Sequence, residues 1–440
     1  MNRREFFQAA TGAASGLLIL KPGTVFAYDA NSAVRLGLLG CGNRGTHVAT
    51  SFAQNTAAQV VALADMFHDQ LEAGQAHFNA LNASLGRSAI DSSLLFRGPG
   101  AYEQLAASPA VDLIQISTPP FFHVQHLGAA VAAGKHVYCE KPVGIDVAQA
   151  QQALEIAKRV KPTQSVDVGF QCRSAPPIAA IAEKIQGGAL GKIASVSGYY
   201  FAPASVEKVV PGTSADEHRL RNWLWDRALS GDILVEQNIH IVDLCNWLLG
   251  EHPLKATGSG GRNILTHEGD CWDNYQVDFT YPGDVRLSFS STQFGSYGLF
   301  EAGLRLFGGN GAASVPYAGA VQIVGAQPWA WTDPEKTDPE KPGSEKADSM
   351  NTPAGQGKFA ANGAFEDNLA FADRDKERSF IDSIVSGPVH NQIAAGVETA
   401  LSCMMGRMAS YQHREVTWED LLVHGETYKL GMNLAEFGSH

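Results

Sequence analysis

The chain has 440 residues, 45% hydrophobic and 18% charged, enough apolar side chain for the cores of two or three domains. Its formal charge of −12, with no long Lys/Arg run, argues against nucleic acid as a partner. The six cysteines, Cys41, Cys139, Cys172, Cys245, Cys271 and Cys403, show no C-x-x-C spacing. That pattern argues against zinc and against a disulfide framework, and predicts buried free thiols and no metal site.

At the start, Arg3 and Arg4 precede Phe6, Phe7 and a weakly apolar run from Ala9 to Leu20, followed by Val25-Phe26-Ala27. The run is too short to span a bilayer. In this order the features read as a twin-arginine export signal over residues 1–27, which predicts a periplasmic protein beginning near Tyr28 and handled by the export machinery.

Val34 to Leu39 is a mostly aliphatic run without alternation, as expected of a strand buried on both faces, and Gly40, Gly42 and Gly45 follow at G-x-G-x-x-G spacing. In a dinucleotide site the first glycine makes the turn, the second admits the pyrophosphate and the third packs helix on strand, with the helix N-terminus facing the anion. Asn43 and Arg44 lie inside the motif. A second aliphatic strand ends in Asp65, near the roughly 20-residue spacing of the carboxylate that binds the adenosine ribose. No Lys or Arg follows until Arg87, so NAD is expected in preference to NADP, whose 2′-phosphate needs a nearby cation.

From 34 to 169 strand and helix patterns alternate, predicting a doubly wound parallel sheet over 33–170 with ligands at the strands' C-terminal ends. Two such ends carry chemistry: Thr118-Pro119-Pro120 and Glu140-Lys141-Pro142. Beyond Phe170 the strands lengthen and join by hairpins, as at Tyr275–Tyr281 into Val285–Thr292. An α+β domain with an open-faced antiparallel sheet is expected over 171–440, one face on helices and the other free for a ligand or another subunit. Between 325 and 368, Trp329, Trp331 and a tandem TDPEK repeat mark a surface insert whose tryptophans are expected to anchor it.

Ser230 to Gly250 reads as one helix with Ser230 as N-cap and Gly250 as stop. Glu236, His240, Asp243 and Trp247 then share a face, and their ionisable groups amid aliphatic neighbours predict a polar cleft. Just ahead lie Arg221, Asn222, Trp223 and Trp225, candidates to bind sugar hydroxyls or stack on a sugar ring, with packing an equal alternative for the tryptophans.

The glycine turn with Arg44, then STPP, then GKHVYCEKP, then the Glu236 to His240 helix follow in an order that resembles the glucose-fructose oxidoreductase and inositol dehydrogenase family (Gfo/Idh/MocA). The resemblance spans nearly the whole mature chain. It implies NAD as cofactor and a sugar, polyol or glycoside as substrate. Lys141 then matches the lysine beside nicotinamide and substrate, and His240 the histidine that moves the hydroxyl proton. Glu236 stands where many members carry Asp, and Ser230-Gly231-Asp232 replaces the usual glycine-rich entry. Certain NAD-dependent glycosidases are similar over the first domain, so transient oxidation with loss of an aglycone is the alternative reaction. A non-catalytic sugar-binding protein is a third, disfavoured by the presence of both Lys141 and His240. A homo-oligomer, dimer or tetramer, is expected, and export implies a cofactor that travels tightly held inside the protein.

Overall fold

The computed structural model describes residues 33–205, 207–294, 300–333 and 367–438. Residues 1–27, where an export signal is expected, and most of the 325–368 insert lie outside the described residues.

The first domain alternates β1 (Val34–Leu39), α1 (Asn43–Asn55), β2 (Ala58–Asp65), α2 (His68–Ser84), β3 (Leu95–Arg97), α3 (Ala101–Ala107), β4 (Leu113–Ile116), α4 (His123–Ala132), β5 (His136–Cys139), α5 (Val147–Ala157) and β6 (Val166–Val168). The strands form one sheet in the order β3-β2-β1-β4-β5-β6, every neighbouring pair parallel. Helices on both faces make β4 and β6 buried throughout and leave β1 only Arg35 exposed, which is why these strands are aliphatic rather than alternating. The order reverses between β1 and β4, so the turns after these two strands border a crevice at the sheet's carboxyl edge.

After α6 (Pro176–Gln186) comes β7 (Ile193–Ala202), then α7 (Ala215–Arg221), α8 (Arg227–Ser230), α9 (Ile233–Glu236) and α10 (Ile239–Leu249). Seven further strands follow: β8 (Lys255–Gly261), β9 (Asn274–Thr280), β10 (Arg286–Gln293), β11 (Glu301–Gly308), β12 (Gly311–Pro316), β13 (Gln322–Gly325) and β14 (Trp329–Ala330). The chain closes with α11 (Ala372–Val385), α12 (Ile393–Gln412), β15 (Val416–Thr417) and α13 (Trp418–His424).

The second sheet has nine strands in the order β14-β13-β12-β11-β7-β10-β9-β8-β15. Its neighbours are antiparallel except β7 with β10, which run parallel. The long excursion through α7–α10 and two strands supplies the crossover a parallel pair needs. The inner face carries Val196, Leu287, Phe289, Leu304 and Leu306 into the core. Gly198 offers a flat place there, where an added Cβ would meet Ile241 of α10 at 3.2 Å. The outer face is open, with Ser288 bonded to Asp278 and Ser290 to Gln276. Trp329 and Trp331 pack against the core, so they anchor the start of the insert.

The stretch 230–250 is three helical pieces rather than one helix. Ser230 ends α8, Gly231 turns left-handed at φ 84°, and Asp232, at φ 76°, caps α9 by accepting from the Ile233 N–H. A second break falls at Gln237-Asn238, whereas Gly250 stops α10 in the left-handed conformation. Glu236 and His240 therefore stand on two helices separated by a break, not along one continuous helix face.

Candidate active site

The cofactor end is built from the turn after β1. Gly40 sits at φ 97°, and a Cβ on it would lie 2.6 Å from Ser117 O. A Cβ on Gly45 would lie 2.0 Å from Gly40 O, so helix and strand meet through bare backbone. Gly42 differs: none of the described residues lies within 4 Å of where its Cβ would be, and it borders a cavity of about 340 Å³. A side chain there would occupy the space a pyrophosphate needs, so the residues present fit a dinucleotide. Gly40, Asp65, Thr118 and Pro119 line the same cavity. Asp65 accepts from the backbone N–H of Cys41 at 2.7 Å and of Phe67 at 2.9 Å, yet burial pushes its pKa up to about 6. His126, held at 3.0 Å to the Thr118 hydroxyl, is pushed down to about 3 by burial.

Asn43 is exposed at the start of α1, and Arg44 turns away from the cavity. Its guanidinium bonds Glu140 at 2.9 Å, Gln171 at 3.0 Å and both oxygens of Asp373 on α11 at 2.6 and 2.9 Å. Burial works against the Asp373 charge, but Arg44 outweighs it and holds this carboxyl below its ordinary range. Glu140 fits because Gly169 has no side chain; a Cβ there would come within 2.3 Å of Glu140 Oε2. Arg44 thus ties the glycine turn to the residue preceding Lys141.

The catalytic candidates lie apart from that cavity. Lys141 follows β5 and Glu140, and its peptide bond to Pro142 is cis. Its Nζ donates to Glu236 O at 2.6 Å and to Glu236 Oε1 at 2.6 Å. Both side chains are nearly buried, 12% and 10% exposed. The helix break makes the carbonyl contact possible, since the His240 N–H turns to Gln237 O at 3.5 Å. His240 packs edge-on against Phe170, with ring centroids 6.3 Å apart. Burial, then the Lys141 and Arg44 cations, hold its pKa well below the ordinary histidine value. Among the described residues its Nδ1 has no hydrogen-bond partner, and neither amide atom of the buried Asn238 has one. Buried polar atoms are normally paired, so unpaired groups this near in sequence to Glu236 mark a place where a polar ligand would find partners. Asn238 was not singled out from the sequence; its only signal there was a polar Gln237-Asn238 pair interrupting an aliphatic helix pattern.

The residues expected to bind substrate, Arg221, Asn222, Trp223 and Asp243, make other contacts in this structure. Arg221 bonds both oxygens of Asp69 at 2.9 and 3.0 Å, bonds Glu217 at 2.8 Å, and lies 3.9 Å from the centroid of the Phe67 ring. It lines the dinucleotide cavity with Trp223, because α7 folds back over the loop after β2. Asn222 clamps the backbone of Lys208 at 2.8 and 2.9 Å. Asp243, 1% exposed, takes Arg173 at 2.9 and 2.7 Å and Thr399 at 3.0 Å, joining α10 to α12 rather than entering the cleft. Trp225 is a core residue, 2% exposed. All six cysteines are buried and free. Among the described residues no cluster of three or more His, Cys, Asp or Glu could hold a metal ion, and no helix is long and apolar enough to cross a membrane.

Comparison with known proteins agrees with this geometry. Residues 34–168 match the oxidoreductase family with an NAD-binding Rossmann fold, Gfo/Idh/MocA, and residues 178–314 match the Gfo/Idh/MocA C-terminal domain. Inositol 2-dehydrogenase of Rhizobium meliloti is 24% identical over 292 residues, 66% of this chain and 78% of that protein. A glycosyl hydrolase family 109 protein of Streptomyces niveus is 30% identical, but over 134 residues that span 30% of this chain and 26% of the relative. Among solved structures, levoglucosan dehydrogenase in complex with NADH and levoglucosan superposes with a TM-score of 0.65 at 18% identity, covering 88% of this chain and 99% of that one. With both domains matched and a glycine cradle shaped for a dinucleotide, the chain belongs to the Gfo/Idh/MocA family of NAD-binding oxidoreductases.

Proposed function

We propose that this enzyme oxidises a hydroxyl of a sugar, polyol or glycoside with a tightly held NAD. The observation that carries the reading is the Lys141 ammonium fixed by Glu236 beside a half-buried His240 whose neutral form is strongly favoured. Bound NAD supplies the hydride acceptor. The chain must supply the rest. A carbinol loses hydride only if its hydroxyl proton also leaves, and His240, neutral at working pH, is the group to take it. Lys141 stabilises the negative charge that develops on the hydroxyl oxygen as its proton leaves, and Glu236 holds the ammonium in place for that task. The turn that Gly40 and Gly45 allow would present the backbone at Gly42 to the pyrophosphate, and Asp65 would hold the ribose diol.

The substrate class is supported by the names of the relatives, an inositol dehydrogenase and a levoglucosan dehydrogenase. The order of residues in the first 27 positions supports twin-arginine export to the periplasm. There, free nicotinamide is not dependably supplied, so a cofactor carried within the protein and restored in place is the consistent arrangement. The open sheet face, where Phe307 is 44% and Val324 53% exposed, supports a homo-oligomer.

The test is a panel of sugars, polyols and aryl glycosides offered to purified, desalted protein. Near-UV absorption of reduced nicotinamide reports oxidation, and aglycone release reports the glycosidase alternative suggested by the family 109 relative. Absorbance growth without aglycone release is expected; aglycone release with no net reduction would replace the reading by the glycosidase.

A further inference from the structure

The dinucleotide cavity is walled by more than its own domain. The Rossmann turns supply Gly42, Asp65, Phe67 and Tyr102, but Lys208, Leu220, Arg221, Trp223 and Leu434 also line it. These come from the second domain: α7 with its flanking loops, and the C-terminal segment after α13.

The two pieces are joined to each other and to the first domain. The Leu430 carbonyl accepts from Arg219 Nη1 at 2.8 Å, linking the C-terminal segment to α7. Arg219 is itself held by Asp226. The Tyr428 N–H donates to Asp146 Oδ2 at 2.8 Å, fixing the segment to the N-cap of α5. Leu430, Met432, Leu434 and Phe437 then pack with Phe122, Leu220 and Leu229 in an apolar cluster separate from the main cores. Phe437 meets Phe67 edge-on at 6.2 Å, and Arg221 lies over that ring while pairing with Asp69. Phe67 is two residues from Asp65, so the clasp closes on the loop that would carry the ribose. Because Arg221 is already committed to Asp69 and Glu217, it acts here as a latch and not as a cation free to take a 2′-phosphate.

We propose that α7 and residues 428–437 form a two-piece clasp over the adenosine end of the cofactor, and that the clasp sets how slowly NAD leaves. The proposal rests on NAD occupying this cavity but not on which substrate is oxidised. Such a clasp must loosen for the adenosine to depart, and by linkage bound NAD must in turn hold the clasp closed. None of its residues belongs to the Lys141–Glu236–His240 group, so cofactor retention and chemistry are separable.

The full chain is loaded with NADH, and release is followed by the loss of nicotinamide fluorescence on chase with excess NAD. Leu434→Ser with Phe437→Ala removes two apolar contacts of the clasp and should speed release by roughly tenfold or more, with a smaller change in the association rate. Arg219→Ala, which leaves the apolar contacts and removes the link to Leu430, should speed release less but in the same direction. Added NAD should slow protease cleavage within residues 425–438 of the wild type. Unchanged release in both folded variants, or cleavage indifferent to NAD, overturns the clasp. Failure of wild type to bind NADH at all would instead overturn the cofactor assignment, so the two failures are told apart.

Discussion

Lys141 Nζ stands 2.6 Å from both the backbone carbonyl and the Oε1 of Glu236, so one residue holds the ammonium twice. The two contacts depend on different features. The carbonyl contact needs the break after α9, and the carboxylate contact needs a side chain long enough to return to the same nitrogen. Glutamate, where the family resemblance leads one to expect aspartate, therefore fits the broken helix. Glu236→Gln should keep the fold and the carbonyl contact yet lower turnover by roughly tenfold or more, because the ammonium loses its charged partner and its fixed position. Glu236→Asp should fall between wild type and Gln in a steady-state assay.

Lys141→Ala and His240→Ala should each lower turnover by about 10²-fold or more with circular dichroism unchanged. The double variant should be little worse than the poorer single one, since the two groups act on one hydroxyl. Turnover at the wild-type rate in either single variant contradicts the assignment.

The pH profile follows from the direction of the His240 shift. Burial and the Lys141 and Arg44 cations lower its pKa, so the neutral form that accepts a proton persists below the ordinary histidine range. The acid limb of kcat/KM should lie below pH ~6.5. Lys141→Met removes one cation, the histidine pKa rises, and the acid limb of the residual activity should move up. A limb that stays put or moves down would show that another group sets it.

Asp65 has the opposite sign. Its pKa is raised to about 6 by burial, so the cofactor-free protein takes up a proton there as pH falls through that value. Ribose hydroxyls donate to the ionised carboxylate, and NAD binding must expel that proton. Affinity for NAD should be flat above pH ~6 and weaken by up to about tenfold per unit below it. Asp65→Asn should bind more weakly throughout and lose this pH dependence. Calorimetric titration across the range reads both.

Arg173→Ala should act on stability rather than chemistry. It leaves Asp243, 1% exposed, with Thr399 but without its guanidinium. Loss of the partner of this buried carboxylate costs roughly 2 kcal/mol, less than for a fully buried pair because Arg173 is 32% exposed, and shows as a lower denaturation midpoint.

Much of the fold was legible because it rests on local rules. A strand buried on both faces must be aliphatic, the G-x-G-x-x-G turn must lack Cβ atoms, and alternating strands and helices close into one parallel sheet. The second sheet was legible as hairpins. Its one parallel pair was not, because β7 and β10 are joined by a distant return of the chain. The site divided in the same way. Lys141 and His240 carry their own signals, at a strand end and amid aliphatic neighbours. The breaks at Gly231-Asp232 and Gln237-Asn238 could not be read from apolar periodicity, which passes through both. Arg221 was misplaced for a tertiary reason: nothing near it in sequence announces Asp69, which stands on α2 of the other domain. The C-terminal segment likewise has no motif, and its position over the cofactor cavity is set by contacts with Asp146, Phe67 and Leu220.

The most direct test of the account is single-turnover reduction of NAD already bound to the desalted protein. Sugars and polyols are mixed with wild type and with His240→Ala while near-UV absorption of reduced nicotinamide is followed. About one equivalent of reduced cofactor per chain is expected with at least one carbohydrate, without added NAD, and at least ~10²-fold slower formation in the variant. No reduction across the panel by NAD-loaded wild type, or an equal rate in the variant, would contradict it.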